Sequence, residues 1–282
     1  MPLRSFTKRE TRGSRVSRDE EALKAIDFST PSVARIYDWW LGGKDNFAVD
    51  RAAAEKLLEL VGSDGRLVIR QNREFLGRAV RFLSESGIRQ FLDLGTGIPT
   101  QGNVHEVAHE VDPEATVVYV DNDPIVAAHG RALLTGGGRT GVVHADMRDP
   151  DTIVESPITK ELIDFSKPVA VLFVAVLHFV DDDAAERVVS YFRERMAPGS
   201  YLVISHGTQG RLSEDTITET RAVYEKSTAA LRDRTPEHIA RFFTGFELVE
   251  PGLVDVADWR NDSDFIEHSK GGYVLGGVGR LR

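Results

Sequence analysis

The sequence predicts a doubly wound α/β fold: a mostly parallel sheet with helices on both faces, preceded by a helical lobe. Three observations support this prediction. Short runs of continuous aliphatic residues recur after residue 89, helix-like stretches separate them, and amphipathic helices precede the first run. Strands that are buried on both faces lack polar alternation, and their alternation with helices is typical of parallel βαβ units.

The N-terminal lobe is predicted to contain three helices. Thr30 and Pro31 combine a capping residue with a proline at the first helical position, which predicts a helix start. Gly42 and Gly43 end this first helix. The predicted helices cover residues 32–41, 47–60 and 65–83.

The sheet is predicted from five buried-strand patterns that follow the lobe. These patterns cover residues 90–95, 116–121, 141–146, 168–176 and 201–206. Helix-like stretches lie between them at residues 102–111, 124–134 and 182–196.

The last third of the chain has a different rhythm. Helical patterns at residues 214–231 and 236–243 precede strand patterns at residues 246–249 and 272–275. We expect the last two strands to form an antiparallel pair at the edge of the sheet.

The composition excludes several classes of protein. The charges sum to 35 − 44 = −9, which weighs against a protein that binds polyphosphate backbones, so no nucleic-acid partner is expected. The absence of cysteine excludes disulfide scaffolds, thiol nucleophiles and cysteine-based metal sites, and it fits a cytoplasmic protein. The longest apolar run, residues 169–177, is about half of the ~20 residues that a membrane helix needs, so no membrane span is predicted.

The charge is unevenly distributed along the chain. Before residue 19 there are six basic residues and one acidic residue, with almost no apolar periodicity. This composition is typical of a flexible tail. We therefore divide the chain into a basic tail of residues 1–24, a helical lobe of residues 25–87 and a sheet domain of residues 88–282.

Polar residues and glycines follow three of the predicted strands. Gly95 and Gly97 permit a sharp turn and a close approach of a ligand to the backbone, although the third glycine of a dinucleotide fingerprint is replaced by threonine. Asp121 ends the second strand, where an acidic side chain accepts hydrogen bonds from ribose hydroxyls. Asp93 and Asp146 occupy comparable places on the first and third strands. Because ligands bind outside the carboxyl ends of such strands, these residues predict a nucleoside-binding site.

Five ordered motifs resemble those of class I S-adenosylmethionine-dependent methyltransferases, namely DLGTGIPT, VVYVDND, HADMRDP, AVLHFVDD and MAPGSYLVISH. Two N-terminal stretches resemble more specifically an actinobacterial group of S-adenosyl methyltransferases, SVARIYDWWLGGKDNFAVD and IRQNREFLGRAVRFL. The resemblance runs from about residue 30 to the C-terminus. It implies a Rossmann-like methyltransferase fold, in which residues 88–282 bind the cofactor. Because the helical lobe precedes the first strand, it is well placed to act as a lid over the cofactor.

The resemblance also implies how S-adenosylmethionine is held. Gly95 and Gly97 would surround its methionine part, Asp121 would contact the ribose, and Asp146 and Met147 would lie beside the adenine. The full set of expected cofactor-binding residues is Tyr37, Lys44, Asn46, Asn72, Arg73, Asp93, Gly95, Gly97, Asp121, Asn122, Asp146 and Met147.

Five polar residues of the lobe belong to that set because they lie on otherwise apolar helices or beside breaks. Lys44 or Arg73 could pair with the cofactor carboxylate, and Tyr37 and Asn46 could hydrogen-bond to the cofactor or to the substrate. The glycine pair before Lys44 favours a functional role. The alternative is that these residues, Asn72 included, cap helices and tie the lobe to the sheet.

The sulfonium cofactor is already an activated methyl donor, so the protein mainly has to align the acceptor, the methyl carbon and the leaving sulfur. A hydroxyl or ammonium acceptor also needs a base. His178 follows the fourth strand and is the candidate general base, with Tyr37 as a second catalytic candidate. A structural strand-end role is the alternative for His178. The sequence thus predicts methyl transfer to an oxygen or nitrogen of a small molecule, with no prediction of oligomeric state.

Three other functions match parts of the sequence. Residues 105–109 read H-E-x-x-H, which on a helix places two histidines to bind zinc with Glu106 as the base. This helix should instead pack on the sheet, and no third ligand follows at a suitable spacing, so no metal site is predicted. An NAD-dependent oxidoreductase would be expected to carry the third glycine. A non-catalytic protein that binds S-adenosylmethionine or S-adenosylhomocysteine would share the fold and the cofactor-binding residues.

Overall fold

The computed structural model of the protein describes residues 27–62, 64–99, 102–134, 138–270 and 273–282. The predicted basic tail, residues 1–24, lies outside this part of the chain. Among the described helices, none is long and apolar enough to cross a membrane.

A single sheet organises the described part of the chain. Its eight strands are β1 Gln90–Leu94, β2 Thr116–Asp121, β3 Thr140–His144, β4 Ala170–Val174, β5 Tyr201–Thr208, β6 Phe246–Leu248, β7 Val254–Asp255 and β8 Tyr273–Leu281. They lie in the order β3-β2-β1-β4-β5-β8-β6, with β7 paired to β8. Neighbours among β1 to β5 run parallel, and β8 runs antiparallel to β5 and β6. The predicted doubly wound fold is therefore confirmed.

Helices flank the sheet on both faces because its central strands are apolar on both sides. The helices are α1 Val33–Trp40, α2 Ala48–Val61, α3 Gly65–Glu85, α4 Val104–Val111, α5 Pro124–Leu134, α6 Pro150–Glu155, α7 Pro157–Leu162, α8 Asp182–Arg195, α9 Glu214–Tyr224 and α10 Pro236–Arg241. A 3₁₀ turn, Leu177–Phe179, follows β4. Buried residues of α3 and α4 share a cluster with one face of the sheet, and those of α6 and α8 share a cluster with the other face.

The helical lobe is joined to the sheet through its longest helix. Phe75, Ala79 and Leu83, on one face of the C-terminal half of α3, are fully buried in the cluster that contains Phe91 of β1. A separate small cluster holds α1, α2 and α9 together. Helix α3 ends before the predicted division at residue 87, yet the buried residues of its C-terminal half belong to the sheet core.

Two elements near the C-terminus differ from their predicted bounds. The predicted helix that contains α9 ends early, at Tyr224, because the following chain crosses the molecule: the amide of Thr228 donates to Pro31 O at 2.9 Å. The last strand, by contrast, continues to Leu281. The three glycines of this strand have a low propensity for strands, which is why its later part was not predicted. Close packing requires glycine here, since a Cβ at Gly276 would lie 2.8 Å from Val256 Cγ1.

Candidate functional site

A cavity of about 630 Å³ lies at the carboxyl ends of β1 to β4. The strand order reverses here, since β2 and β3 lie on one side of β1 while β4 and β5 lie on the other. This is the position where open α/β sheets bind ligands. The lobe and residues 228–230 line its other side. Ten of the twelve predicted cofactor-binding residues line this cavity: Tyr37, Asn72, Arg73, Asp93, Gly95, Gly97, Asp121, Asn122, Asp146 and Met147.

The glycine turn after β1 forms the floor of the cavity. Gly95 and Gly97 have φ of 74° and 66°, in the left-handed region that favours glycine. A Cβ at Gly95 would lie 2.2 Å from Val176 Cγ2, so no side chain fits there. The Gly95 amide donates to Val120 O at 2.8 Å, which fixes the turn against the end of β2. A Cβ at Gly97 would meet nothing within 4 Å, so the backbone of the turn is open to a ligand at this residue.

Two buried carboxyl groups stand beside the turn. The Gly97 and Asp123 amides donate to the two oxygens of Asp121, each at 2.9 Å. The Thr96 hydroxyl donates to Asp93 Oδ2 at 2.5 Å. Burial raises the pKa of Asp121 and the pKa of Asp93 to about 6 each. Because each carboxylate has about four acceptor positions, both groups keep capacity for a ligand.

Arg73 of α3 supplies a half-buried cation to the same cavity. Its Nε is buried and has no hydrogen-bond partner among the described residues. Its charge lowers the pKa of Asp93 and of Tyr37, against the larger effect of burial on both groups. Buried donors in folded proteins are normally paired, and a guanidinium pairs best with a carboxylate or phosphate. This nitrogen is therefore a candidate anion-binding atom.

The end of β3 forms a further wall of the cavity. The Arg148 side chain donates to both oxygens of Asp146, with Nε at 3.0 and 2.9 Å. These hydrogen bonds hold the pKa of Asp146 below its usual range. Met147 lies over the glycine turn, since its Cε would be 3.1 Å from a Cβ at Gly95. An apolar surface and a carboxylate thus lie side by side here.

The first turn of α1 is fixed to the end of β2. The Ser32 hydroxyl donates to Asp123 Oδ2 at 2.8 Å, and Arg35 Nη1 lies 3.9 Å from the same oxygen. Arg35 Nε also donates to the buried Asp50 at 2.7 Å. None of these residues was predicted from the sequence to belong to the site. The sequence signal that could have identified Arg35 is an arginine between two apolar residues on a short amphipathic helix.

A chain of hydrogen bonds joins the lobe to the end of β4. The Asn72 amide donates to the Tyr37 hydroxyl at 2.9 Å, and Ser205 Oγ donates to Asn72 Oδ1 at 2.6 Å. Ser205 Oγ in turn accepts from the Ala175 amide at 2.9 Å. Burial raises the pKa of Tyr37, so its hydroxyl stays protonated at neutral pH. Tyr37 is therefore a hydrogen-bonding group and not a base in this arrangement.

The function of this cavity is indicated by the family to which the chain is similar. The S-adenosyl methyltransferase family matches residues 19–282, which is most of the chain. The chain belongs to this family. It is a methyltransferase that depends on S-adenosylmethionine, as the motifs predicted.

Two solved structures resemble the methyltransferase over nearly their whole length. A candidate methyltransferase from Thermobifida fusca is 44% identical, covers 91% of this chain and 97% of its own, and has a TM-score of 0.83. A DUF574 family protein from Streptomyces avermitilis is 39% identical, covers 91% of this chain and 99% of its own, and has a TM-score of 0.85. Both organisms are actinobacteria, as the resemblance implied. No curated protein matches the chain.

Two of the predicted cofactor-binding residues do not line the methyltransferase cavity. Lys44 is exposed, and the Asn46 amide donates to Asp38 Oδ2 at 2.8 Å and to Gly43 O at 3.1 Å. The glycine pair before Lys44 also has a structural cause, since a Cβ at Gly43 would lie 1.9 Å from Asp38 Oδ1. This part of the N-terminal motif encodes a turn folded around the buried carboxylate of Asp38.

His178 lies in a second cavity, beside the first. The Gly207 amide donates to His178 Nδ1 at 3.2 Å, and burial holds the pKa of His178 well below its usual value. The ring is therefore neutral, with Nδ1 as the acceptor and Nε2 as the protonated nitrogen. The lone pair of His178 accepts the hydrogen bond from Gly207 in this structure, so the general-base role expected for His178 stays a prediction that requires this bond to break.

The H-E-x-x-H residues have structural contacts. His105 Nδ1 lies 2.8 Å from the Tyr119 hydroxyl, and His109 Nε2 lies 2.9 Å from Ala115 O. Glu106 accepts from the Asn103 amide at 2.9 Å and caps the helix that follows the glycine turn. All three side chains of the motif thus serve α4 and its packing on the sheet.

Proposed function

We propose that the strand-end cavity holds S-adenosylmethionine and that the enzyme transfers its methyl group to an oxygen or nitrogen of a small molecule. The bond from the methyl carbon to sulfur breaks as the bond to the acceptor forms, S-adenosylhomocysteine leaves, and the proton of the acceptor passes to water. The observation that carries this proposal is the charge of the described lining. It includes six aspartates and four arginines, a balance of 4 − 6 = −2. S-adenosylmethionine carries a sulfonium, an ammonium and one carboxylate, so its net charge is complementary. The two phosphates of a dinucleotide would be repelled by the same lining.

We assign the amino-acid part of the cofactor to the end of β1. Arg73 would pair with the carboxylate, since its Nε is buried without a partner. Asp93 would accept hydrogen bonds from the ammonium group, and the glycine turn would let the backbone approach this part closely. When bound, the cofactor supplies a methyl group on a positively charged sulfur.

The nucleoside part fits the ends of β2 and β3. Asp121 would accept hydrogen bonds from the ribose hydroxyls through the acceptor positions that its two amide partners leave free. Met147 offers an apolar surface to the adenine ring, and Asp146 and Asn122 offer polar edges beside it. These four residues line one continuous wall of the cavity.

The lobe would exclude water and align the acceptor. Tyr37 and Asn72 are fixed by hydrogen bonds to the sheet and line the cavity on the side of the lobe. Holding the reacting groups in place in a partly dehydrated cavity is the main contribution that an enzyme makes to methyl transfer from an activated donor. A cytoplasmic location stays a prediction from the cysteine-free sequence.

The experiment uses S-adenosylmethionine with a deuterated methyl group. The purified enzyme is incubated with a cell extract that has been separated into small molecules and macromolecules, and each fraction is analysed by mass spectrometry. We expect a deuterated methyl group on a small molecule, and a carbon-13 label in a second preparation identifies oxygen or nitrogen as the attached atom. Label found only in protein or nucleic acid, or on carbon, would contradict the proposal.

A further inference from the structure

A second cavity, of about 180 Å³, adjoins the cofactor cavity. Five residues line both cavities and form the junction between them: Val33, Tyr37, Asn72, Ala175 and Phe179. A molecule in the second cavity would therefore lie next to whatever the first cavity holds. The hydroxyl of Tyr37 and the amide of Asn72 place polar atoms at this junction, tied together at 2.9 Å.

The lining of the second cavity offers little to a charged ligand. Its walls are mainly aliphatic and aromatic, with α1, α2, α3 and α9 all contributing. The acidic and basic side chains in its described lining are His178 and Asp233. Burial keeps His178 neutral, and Asp233 is ion-paired with Arg221. Because an unpaired charge is costly in such surroundings, the cavity favours an uncharged molecule.

A glycine in the interior of β5 creates part of this space. A Cβ at Gly207 would meet only His178 Nδ1, at 3.9 Å, which is an ordinary contact distance. Side chains alternate along a strand, so this position faces the same side as Ser205, toward α3 and the junction. Glycine weakens a strand interior and often marks a place that a ligand approaches closely. The missing side chain thus leaves room inside the cavity.

The volume limits the size of the occupant. An apolar protein cavity of about 150 Å³ is large enough to bind benzene. The second cavity is slightly larger, at about 180 Å³, and the polar groups of Tyr37 and Asn72 lie at its junction with the cofactor cavity. One or two aromatic rings with a polar group at one end would satisfy both the volume and the lining.

We propose that the second cavity is the methyl-acceptor site and that it takes a compact, uncharged, mainly apolar molecule whose hydroxyl or amine points to Tyr37. Gly207 determines the size of acceptor that fits. The inference rests on the proposed function, because it places the acceptor next to S-adenosylmethionine. It deepens that function by naming the class of acceptor and the residue that limits its size.

The first test compares two probes of similar shape and different charge. Benzyl alcohol and benzoate are titrated into the protein saturated with S-adenosylhomocysteine, and binding is followed by saturation-transfer NMR. We expect benzyl alcohol to bind at least about tenfold more tightly than benzoate, which corresponds to about 1.4 kcal/mol. Equal binding of the two probes, or tighter binding of benzoate, would overturn the assignment of an uncharged acceptor.

The second test fills the cavity from Gly207. The variants Gly207→Ala, Gly207→Val and Gly207→Leu add progressively larger side chains, and Gly77→Leu is the matched control. A Cβ at Gly77 meets nothing within 4 Å, and this residue lines neither cavity. We expect benzyl alcohol affinity to fall stepwise along the Gly207 series and to be lost in Gly207→Leu, with wild-type affinity in the control. Unchanged affinity in Gly207→Leu would refute the proposal.

The titration of S-adenosylhomocysteine separates the two possible failures. Gly207 does not line the cofactor cavity, so each variant should bind S-adenosylhomocysteine within about twofold of wild type. If S-adenosylhomocysteine binds and benzyl alcohol does not, the acceptor site is wrong while the proposed function stands. If S-adenosylhomocysteine fails to bind the wild-type protein, the proposed function itself is wrong.

Discussion

Replacing Arg73 by methionine gives the sharpest prediction about cofactor recognition. The side chain keeps its approximate length and loses its charge and its donors, including the Nε that is buried without a partner. A hydrogen bond to a charged group contributes about 1.5–3 kcal/mol, so S-adenosylhomocysteine should bind about 10- to 150-fold more weakly. Isothermal titration calorimetry at pH 7 measures this change directly.

The same experiment includes a ligand without the amino-acid part. 5′-Methylthioadenosine retains the ribose and the adenine but has no carboxylate for Arg73 to bind. Arg73→Met should therefore leave the affinity for 5′-methylthioadenosine within about twofold of wild type. Arg70→Met is the matched control, because Arg70 is exposed on the same helix and lines neither cavity. If both ligands lost affinity equally, or neither did, Arg73 would not be the carboxylate partner.

Three other predictions test the site and its surroundings. The pKa of Asp121 is raised to about 6, so the ionised form of this carboxyl is lost as the pH falls below that value. The affinity for S-adenosylhomocysteine should therefore fall between pH 7 and pH 5. An affinity that did not change over this range would argue against Asp121 as the ribose acceptor. Gly43→Ala should lower the melting temperature measured by circular dichroism, at a cost of about 1–3 kcal/mol from overpacking, while Gly77→Ala should not; equal melting temperatures would contradict the role of the glycine in the turn. His105→Ala should destabilise the fold through the lost contact with Tyr119 but keep wild-type affinity for S-adenosylhomocysteine by calorimetry, and a large loss of affinity would give the motif a role in binding.

The sheet could be predicted because its buried strands consist mainly of apolar residues, which are visible as short runs in the sequence. β1, β2 and β4 are short, mainly apolar runs, and each was predicted within two residues of its bounds. The last strand was predicted too short because Gly276 and its neighbouring glycines disfavour a strand locally. Their reason is long-range, since helix α3 and residue Val256 pack where side chains would otherwise stand. Local propensity contains no information about such packing.

The candidate site could be predicted where its residues stand at strand ends. Asp93, Asp121 and Asp146 come together because the carboxyl ends of neighbouring parallel strands meet at one edge. The cofactor-binding residues of the lobe were harder to predict, because a polar residue on a helix can either face a cavity or stabilise a turn. Arg73 does the first, and Asn46 does the second through Asp38. Only the three-dimensional packing separates these two roles.

The second cavity was missed because its main signal is the absence of a side chain. Gly207 comes directly after the predicted strand of residues 201–206, where a glycine indicates only that the strand ends. Its meaning depends on α1, α3 and α9, which meet above it although they are far apart in sequence. The sequence signal that could have indicated the second cavity is a glycine directly after a predicted strand, next to a candidate site.

The most direct test of the account is a calorimetric titration of S-adenosylhomocysteine into the wild-type protein and into Asp121→Ala. Asp121 lies at the end of β2 and is proposed to accept hydrogen bonds from the ribose hydroxyls. The wild type should bind one ligand per chain, and the variant should bind about 10- to 150-fold more weakly because a charged acceptor worth about 1.5–3 kcal/mol is lost. Wild-type affinity in a folded Asp121→Ala variant would contradict the placement of the cofactor at the strand ends.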